Sequence, residues 1–201
     1  MPDAAEQSEI LRLTALIGSG ATRDCYEMPG DPNLCIKVMR PGKSTALLER
    51  ELAVYERLRP LLGDRLVPVY GPLRRTDRGL GMVQELLRND DGSTCRPLWD
   101  YRGEALLPEI KAALADFYRA CMSQRIYFFD VNPLNFLVQY QGGQLRLRYS
   151  ALKSYRRYRS WIYLHAELII PALAARIMRR RYLRLLKHIG IPEAEWGAMI
   201  Q

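Results

Sequence analysis

Short apolar runs separated by turn residues dominate the first 87 positions. Leu11–Ile17 reads as a strand, followed by a glycine turn at Gly18–Gly20 and a second run over Asp24–Met28. Pro29-Gly30-Asp31-Pro32-Asn33 connects it to a third run, Leu34–Met39. The period then changes. Leu47, Leu48, Leu52, Tyr55 and Leu58 recur at helical spacing, with Ser44 as N-cap and Pro60 expected to end the helix after about Arg59. Val67–Leu73 and Gly81–Leu87 are two further strand-like runs around a Thr76-Asp77-Arg78-Gly79 turn. The polar segment 88–103 reads as a boundary. A helix over about 104–124 follows, with Leu106, Leu107, Ile110, Leu114, Phe117, Tyr118 and Cys121 on one side. A loop, a hairpin across Gly142-Gly143 and a basic helical region over about 161–188, broken or kinked at Pro171, complete the pattern. The expected fold class is α+β in two parts: residues 1–87, β-rich with one helix, and residues 88–201, a reduced helical lobe.

With 201 residues and 48% hydrophobic content, the chain can bury a sizeable core. Cys25, Cys35, Cys95 and Cys121 show no CxxC spacing, and two histidines are too few to suggest a structural zinc site. The opening Met-Pro-Asp-Ala-Ala-Glu-Gln has neither a cationic nor an apolar leader region, so reduced thiols and a cytoplasmic location are expected. The apolar run Leu164–Ala175 is too short to cross a bilayer and contains His165 and Glu167. The net charge of +8 is unevenly spread. Residues 1–144 carry 18 Lys/Arg against 19 Asp/Glu, whereas residues 145–187 carry 12 Lys/Arg and one acid, Glu167. That asymmetry suggests an anionic partner, or simply a solvated basic helix face.

Candidate chemistry centres on Ile126–Val138. Asp130 and Asn135 flank Pro133 between two apolar runs, a loop pinned at both ends. A carboxylate that orients a hydroxyl and an amide oxygen that ligates a metal are the pair that phosphoryl transfer requires. An Asx-rich turn between a helix and a strand is the bland alternative. Gly18 and Gly20 would let backbone approach phosphates, though a lone Gly-x-Gly is commonly a hairpin turn. Lys37 lies in a strand-like Cys35-Ile36-Lys37-Val38, and Glu51 stands mid-helix.

Phe128-Phe129-Asp130-Val131-Asn132-Pro133-Leu134-Asn135 resembles the protein-kinase catalytic loop, with Phe128 and Phe129 replacing its His and Arg. Gly18-Ser-Gly20 resembles the start of a Gly-rich loop, with Arg23 in place of the third glycine. Cys35-Ile-Lys37-Val resembles the strand whose lysine reaches nucleotide phosphates. Gly18–Tyr26, Cys35–Val38 and Arg50-Glu51-Leu-Ala-Val-Tyr55 further resemble the bacterial YrbL family, the PhoP-regulatory-network proteins, over roughly residues 12–155. These resemblances imply a minimal two-lobed protein-kinase-like fold, with ATP in the inter-lobe cleft. They imply Lys37 on phosphates, Glu51 pairing with Lys37, and Glu85 and Leu87 at a hinge near Glu85–Arg88. They also imply Asp130 orienting an acceptor hydroxyl, and Asn135 on Mg²⁺.

One departure weakens transfer. The acid of a kinase's second metal-binding motif would fall near Tyr149 or Ser150, yet no Asp or Glu occurs between Asp130 and Glu167, and Arg146 and Arg148 flank the position. Three functions compete. The chain is a kinase-like protein with weak or lost phosphotransfer and a regulatory or binding role, or an active small phosphotransferase acting on a protein or envelope-glycolipid hydroxyl. The third reading is a module whose basic C-terminal helices bind an anionic surface, a protein or nucleic acid, peripheral to the inner membrane. Tyr155, Tyr158, Trp161 and Tyr163 interleave with Arg156, Arg157 and Arg159 there, which suits stacking, interfacial anchoring or a helix core.

Overall fold

The computed structural model describes residues 10–102, 107–128, 131–150, 152 and 171–200. Within them the fold is α+β with antiparallel sheets. Strands β1 (Leu16–Ser19), β2 (Arg23–Met28) and β3 (Asp31–Met39) precede helix α1 (Ala46–Leu62), and β4 (Val69–Thr76) and β5 (Gly79–Glu85) follow it. After β6 (Arg96–Pro97) come α2 (Pro108–Ser123), β7 (Phe136–Gln141), β8 (Gln144–Tyr149), α3 (Pro171–His188) and α4 (Glu193–Met199). The described residues fall into two compact units, one within Met1–Arg57 and Val67–Leu87, the other within Leu58–Leu66 and Arg88–Gln201.

The first unit is built on a five-stranded sheet in the order β1-β2-β3-β5-β4. Strand alternation gives it two different faces. Tyr26, Ile36, Val38 and Val83 pack under Leu13 on one face. On the other, Met39 and Met82 pack against Leu48 of α1. Gly81 is required where these layers are tightest, because a Cβ there would lie 2.6 Å from Ile36 Cγ1. The strand expected over Leu11–Ile17 is shorter than its apolar run. Leu11 makes an isolated bridge to Thr76, and only Leu16–Ser19 pairs as β1.

Pro60 does not end α1, which runs to Leu62. The proline removes one backbone donor, but Leu58 and Leu62, 3% and 1% exposed, hold the last turn by burial.

The second unit has a three-stranded sheet, β6-β7-β8, with α2 against β8. Gly142 and Gly143, with φ of 61° and 69°, turn the β7–β8 hairpin in the left-handed conformation that such tight turns need. Phe117 of α2 meets Phe128, Phe136 and Tyr149, with ring centroids 5.0–5.9 Å away. The polar segment after Leu87 is ordered rather than a bare linker. Gln139 donates to the Arg88 carbonyl at 3.0 Å, and Asp90 receives the Gly142 and Gly143 N–H groups at 3.0 and 3.1 Å. Its polar side chains are there to satisfy the hairpin. Those bonds hold the Asp90 carboxyl below the usual carboxylate range. Tyr182 of α3 stacks on Tyr118 of α2 at 4.5 Å, and Lys111 pairs with Glu195 of α4 at 2.7 Å. Pro171 opens the described helix α3, and α4 was not anticipated. The aromatic–arginine stretch 155–163 lies outside the described residues.

Candidate functional site

In the first unit, register brings the expected residues into a row across three strands. Gly18 of β1 is opposite Cys25 of β2, and Cys25 is opposite Lys37 of β3. Gly20 lies in the tight turn between β1 and β2, where its N–H donates to the Arg23 carbonyl at 2.7 Å. A methyl group on Gly18 would meet nothing within 4 Å, and one on Gly20 would sit 3.3 Å from the Arg23 carbonyl. The fold itself therefore does not demand glycine at position 18. Lys37 shares with Met39 the face that α1 covers, and Glu51 reaches that face from α1.

Glu51 is 2% exposed and receives both nitrogens of the Arg23 guanidinium, Nη1 to Oε2 and Nη2 to Oε1, the second at 3.4 Å. Lys37 lies within electrostatic range of Arg23 and Glu51. Burial, and then the Arg23 charge, depress its pKa below the ordinary lysine value. Across the same face, the Cys25 thiol is lowered to about 7, first by a hydrogen bond from Cys35 and then by the Lys37 and Arg23 charges. Cys35 is pushed up by the same contact and by burial. Glu85 closes β5; its N–H donates to the Pro68 carbonyl at 2.9 Å, and Tyr70 donates to its carboxylate at 3.4 Å. Leu87 is 2% exposed and stays in the interior.

In the second unit, Asn135 ends a short turn, Pro133–Asn135, capped by the Asn132 side chain accepting from the Leu134 N–H at 3.0 Å. The Asn135 carbonyl accepts from the Ser150 N–H at 2.8 Å and from Ser150 Oγ at 3.2 Å. The position where sequence reasoning looked for an acid therefore does stand beside Asn135. Tyr149 points into the aromatic core and is 1% exposed. Arg146 and Arg148 do not flank the position as loose cations. Both pair with the Asp64 carboxylate, at 3.3 and 3.8 Å, and Arg148 also donates to Gln139 Oε1 at 2.8 Å and to the Asp64 carbonyl. They fasten β8 to the turn after α1. Asp130, and with it the expected pairing of Asp130 and Asn135, lies outside the described residues.

A family model described as PhoP regulatory network protein YrbL matches residues 10–189. The chain belongs to this YrbL family. The protein named YrbL in Escherichia coli (strain K12) is 29% identical over 128 residues, 60% of this chain and 61% of that relative. YrbL of Shigella flexneri matches with the same figures. The matched part thus spans 61% of the length of these curated relatives.

Beside Asn135 the described residues place the Ser150 hydroxyl and N–H, whereas Mg²⁺ is ordinarily held through one or two carboxylates, and Asp130 lies outside the described residues. No group of three His, Cys, Asp or Glu side chains among the described residues could hold a metal. In the first unit, Lys37 on β3 and the Gly18–Gly20 turn at the end of β1 lie on either side of β2. Sequence reasoning missed Arg23, Cys25 and Cys35 as members of this cluster. The available signal was the strict alternation Arg23, Cys25, Glu27 along β2, which puts them on Lys37's side of the sheet.

Proposed function

We propose that this YrbL-family protein is a kinase-like nucleotide-binding protein with weak or lost phosphotransfer, serving a regulatory or binding role. The observation that carries this reading is the Gly18–Cys25–Lys37 row with Glu51 behind it: a lysine on the central strand, a helix acid at its face, and a glycine turn one strand beyond Cys25. In this reading Lys37 binds the phosphates of ATP, and backbone N–H groups of the Gly18–Gly20 turn supply further donors. Arg23 pairs with Glu51 on the same face and holds the acid in place. The kinase-like fold itself is part of the proposal, as are Glu85 and Leu87 as nucleotide neighbours and Asp130 as the residue that would orient an acceptor.

Efficient transfer is not expected, because no Asp or Glu occurs in the sequence between Asp130 and Glu167, where a kinase carries its second metal-binding acid. The test is transfer of radiolabel from ATP to the chain or to added protein, in the wild type and in Asp130→Ala. Little or no transfer in either is expected. Robust wild-type transfer that disappears in Asp130→Ala would replace this reading with an active phosphotransferase.

A second reading rests on α3. Arg176, Arg179, Arg180, Arg184 and Lys187 are exposed on a helix with no acidic residue, while Ala174, Met178, Tyr182 and Leu185 are buried. Such a face suits an anionic partner. Binding to anionic vesicles that weakens with salt and is lost in Arg176→Glu/Arg180→Glu would support it, and salt-insensitive binding would count against it.

A further inference from the structure

Strand register and helix packing put two cations and one carboxylate on a single face of the five-stranded sheet. Arg23 on β2 stands opposite Met39 on β3, and Lys37 lies two residues before Met39 on that strand. Side chains two apart share a face, so Arg23 and Lys37 are diagonal neighbours on the side that α1 covers. Glu51 enters from α1, and both of its oxygens meet the Arg23 guanidinium, Oε2 at Nη1 and Oε1 at Nη2. Arg23 is 9% exposed and Glu51 2%, and Glu51 is the buried acid among the described residues. Of the neighbouring acids, Glu27 on β2 and Glu49 and Glu56 on α1 are exposed. Asp24 faces the other side of β2, where it pairs with Arg40 at 2.9 Å.

We propose that Arg23 is a positioning residue for the phosphate site: by engaging Glu51 it leaves the cluster a surplus positive charge at Lys37, which a nucleotide phosphate neutralises. This rests on the nucleotide reading and adds the residue that sets its affinity without a metal. One carboxylate cannot compensate two cations at once. The planar guanidinium engages both oxygens as a fork, a geometry that the compact ammonium of a lysine does not match. Glu51 is therefore shared in favour of Arg23, and the surplus positive charge attracts an anion. Without Arg23 the same acid would turn wholly to Lys37. The cluster would then be neutral, and a phosphate would have to displace a carboxylate before it could bind. Burial strengthens both effects, because little water screens them. Burial and the Arg23 charge also depress the Lys37 pKa, the direction expected where two cations share one acid.

The test is the dissociation constant of ATP in EDTA, measured by calorimetry on the full chain in the wild type and three variants. A phosphate on Lys37 would lie roughly as far from Arg23 as diagonal strand neighbours do, about 7–8 Å. At that range, with an effective dielectric constant of about 20, removing the unit charge in Arg23→Met should weaken ATP at least about tenfold. Arg23→Lys keeps the charge and should stay within about threefold of the wild type. Arg23→Met/Glu51→Leu removes the acid as well, leaves Lys37 as the charge of the cluster, and should regain most of what Arg23→Met loses. A purely structural role for Arg23 predicts no such recovery. Arg23→Gln, which keeps a donor for Glu51 without the charge, decides the same point if Arg23→Met does not fold. Wild-type ATP binding that Arg23→Met leaves unchanged, or a double variant that binds no tighter than Arg23→Met, would overturn this proposal and leave the nucleotide reading standing. No ATP binding by the wild type would overturn both.

Discussion

Removing Glu51 should cost the fold more than removing Arg23, although the two form one ion pair. Both are buried, at 2% and 9% exposure. At the 3.4 Å of the longer contact and an effective dielectric constant of about 20, their attraction is about 5 kcal/mol. Desolvation of several kcal/mol per ion offsets most of that, so the intact pair contributes little net stability. Its two halves are not equivalent, because Lys37 lies within range of both. Glu51→Gln leaves the buried Arg23 and the half-buried Lys37 without the carboxylate that compensates them, at a cost of about 3–5 kcal/mol. Arg23→Met leaves Glu51 with Lys37 as a replacement cation, at about 1–2 kcal/mol. The double variant Arg23→Met/Glu51→Leu removes both charges of the pair and should recover part of the Glu51→Gln loss. Urea unfolding followed by tryptophan fluorescence reads all three as midpoint shifts at constant slope. If Arg23→Met costs as much as Glu51→Gln, Lys37 does not take over the acid and the account of this cluster is wrong.

Lys37→Met should stabilise the nucleotide-free chain. Folding lowers the lysine's pKa, so the penalty for its charge is present in full below the folded value and fades as pH rises toward the unfolded value of about 10.4; a stability gain that grows with pH would contradict this. The Tyr182 hydroxyl is buried with no partner among the described residues, so Tyr182→Phe should raise stability by about 1 kcal/mol, or about 2–4 °C in Tm. A lower Tm in a thermal scan would show that the hydroxyl is satisfied. Tyr149→Asp would bury a carboxylate among Phe117, Phe128 and Phe136 and should unfold the chain, a loss above about 4 kcal/mol. Ser150→Asp, beside Asn135 and half-exposed, should fold by circular dichroism and make ATP binding more Mg²⁺-dependent; no gain in Mg²⁺ dependence would detach this position from the nucleotide.

Much of the fold is legible in the sequence where a single period governs an element. Alternation in β2 and β3 and helical spacing in α2 made these elements evident, as did the paired glycines at 142–143 for the hairpin. The misses have specific causes. Pro60 reads as a stop only if the burial of Leu58 and Leu62 is unknown. The segment after Leu87 reads as a boundary, and its polar side chains do not reveal locally that Asp90 satisfies the β7–β8 turn. Arg146 and Arg148 read as loose cations because their partner, Asp64, lies more than 80 positions away in sequence. At the candidate site, Lys37 and Glu51 were legible one by one. Arg23, the residue that binds Glu51, was seen only as a missing glycine, since nothing local in a sequence reveals a pairing between a strand and a helix 28 residues on.

The central claim is that Lys37 binds the phosphates of a nucleotide without needing a well-held metal. The most direct measurement is a thermal-shift titration with ATP in EDTA, comparing the wild type with Lys37→Met. At ATP a hundredfold above Kd the wild type should gain about 2.7 kcal/mol of apparent stability, about 5–10 °C in Tm, and Lys37→Met should gain almost nothing. No shift in the wild type at any ATP concentration, or an equal shift in Lys37→Met, would contradict the claim.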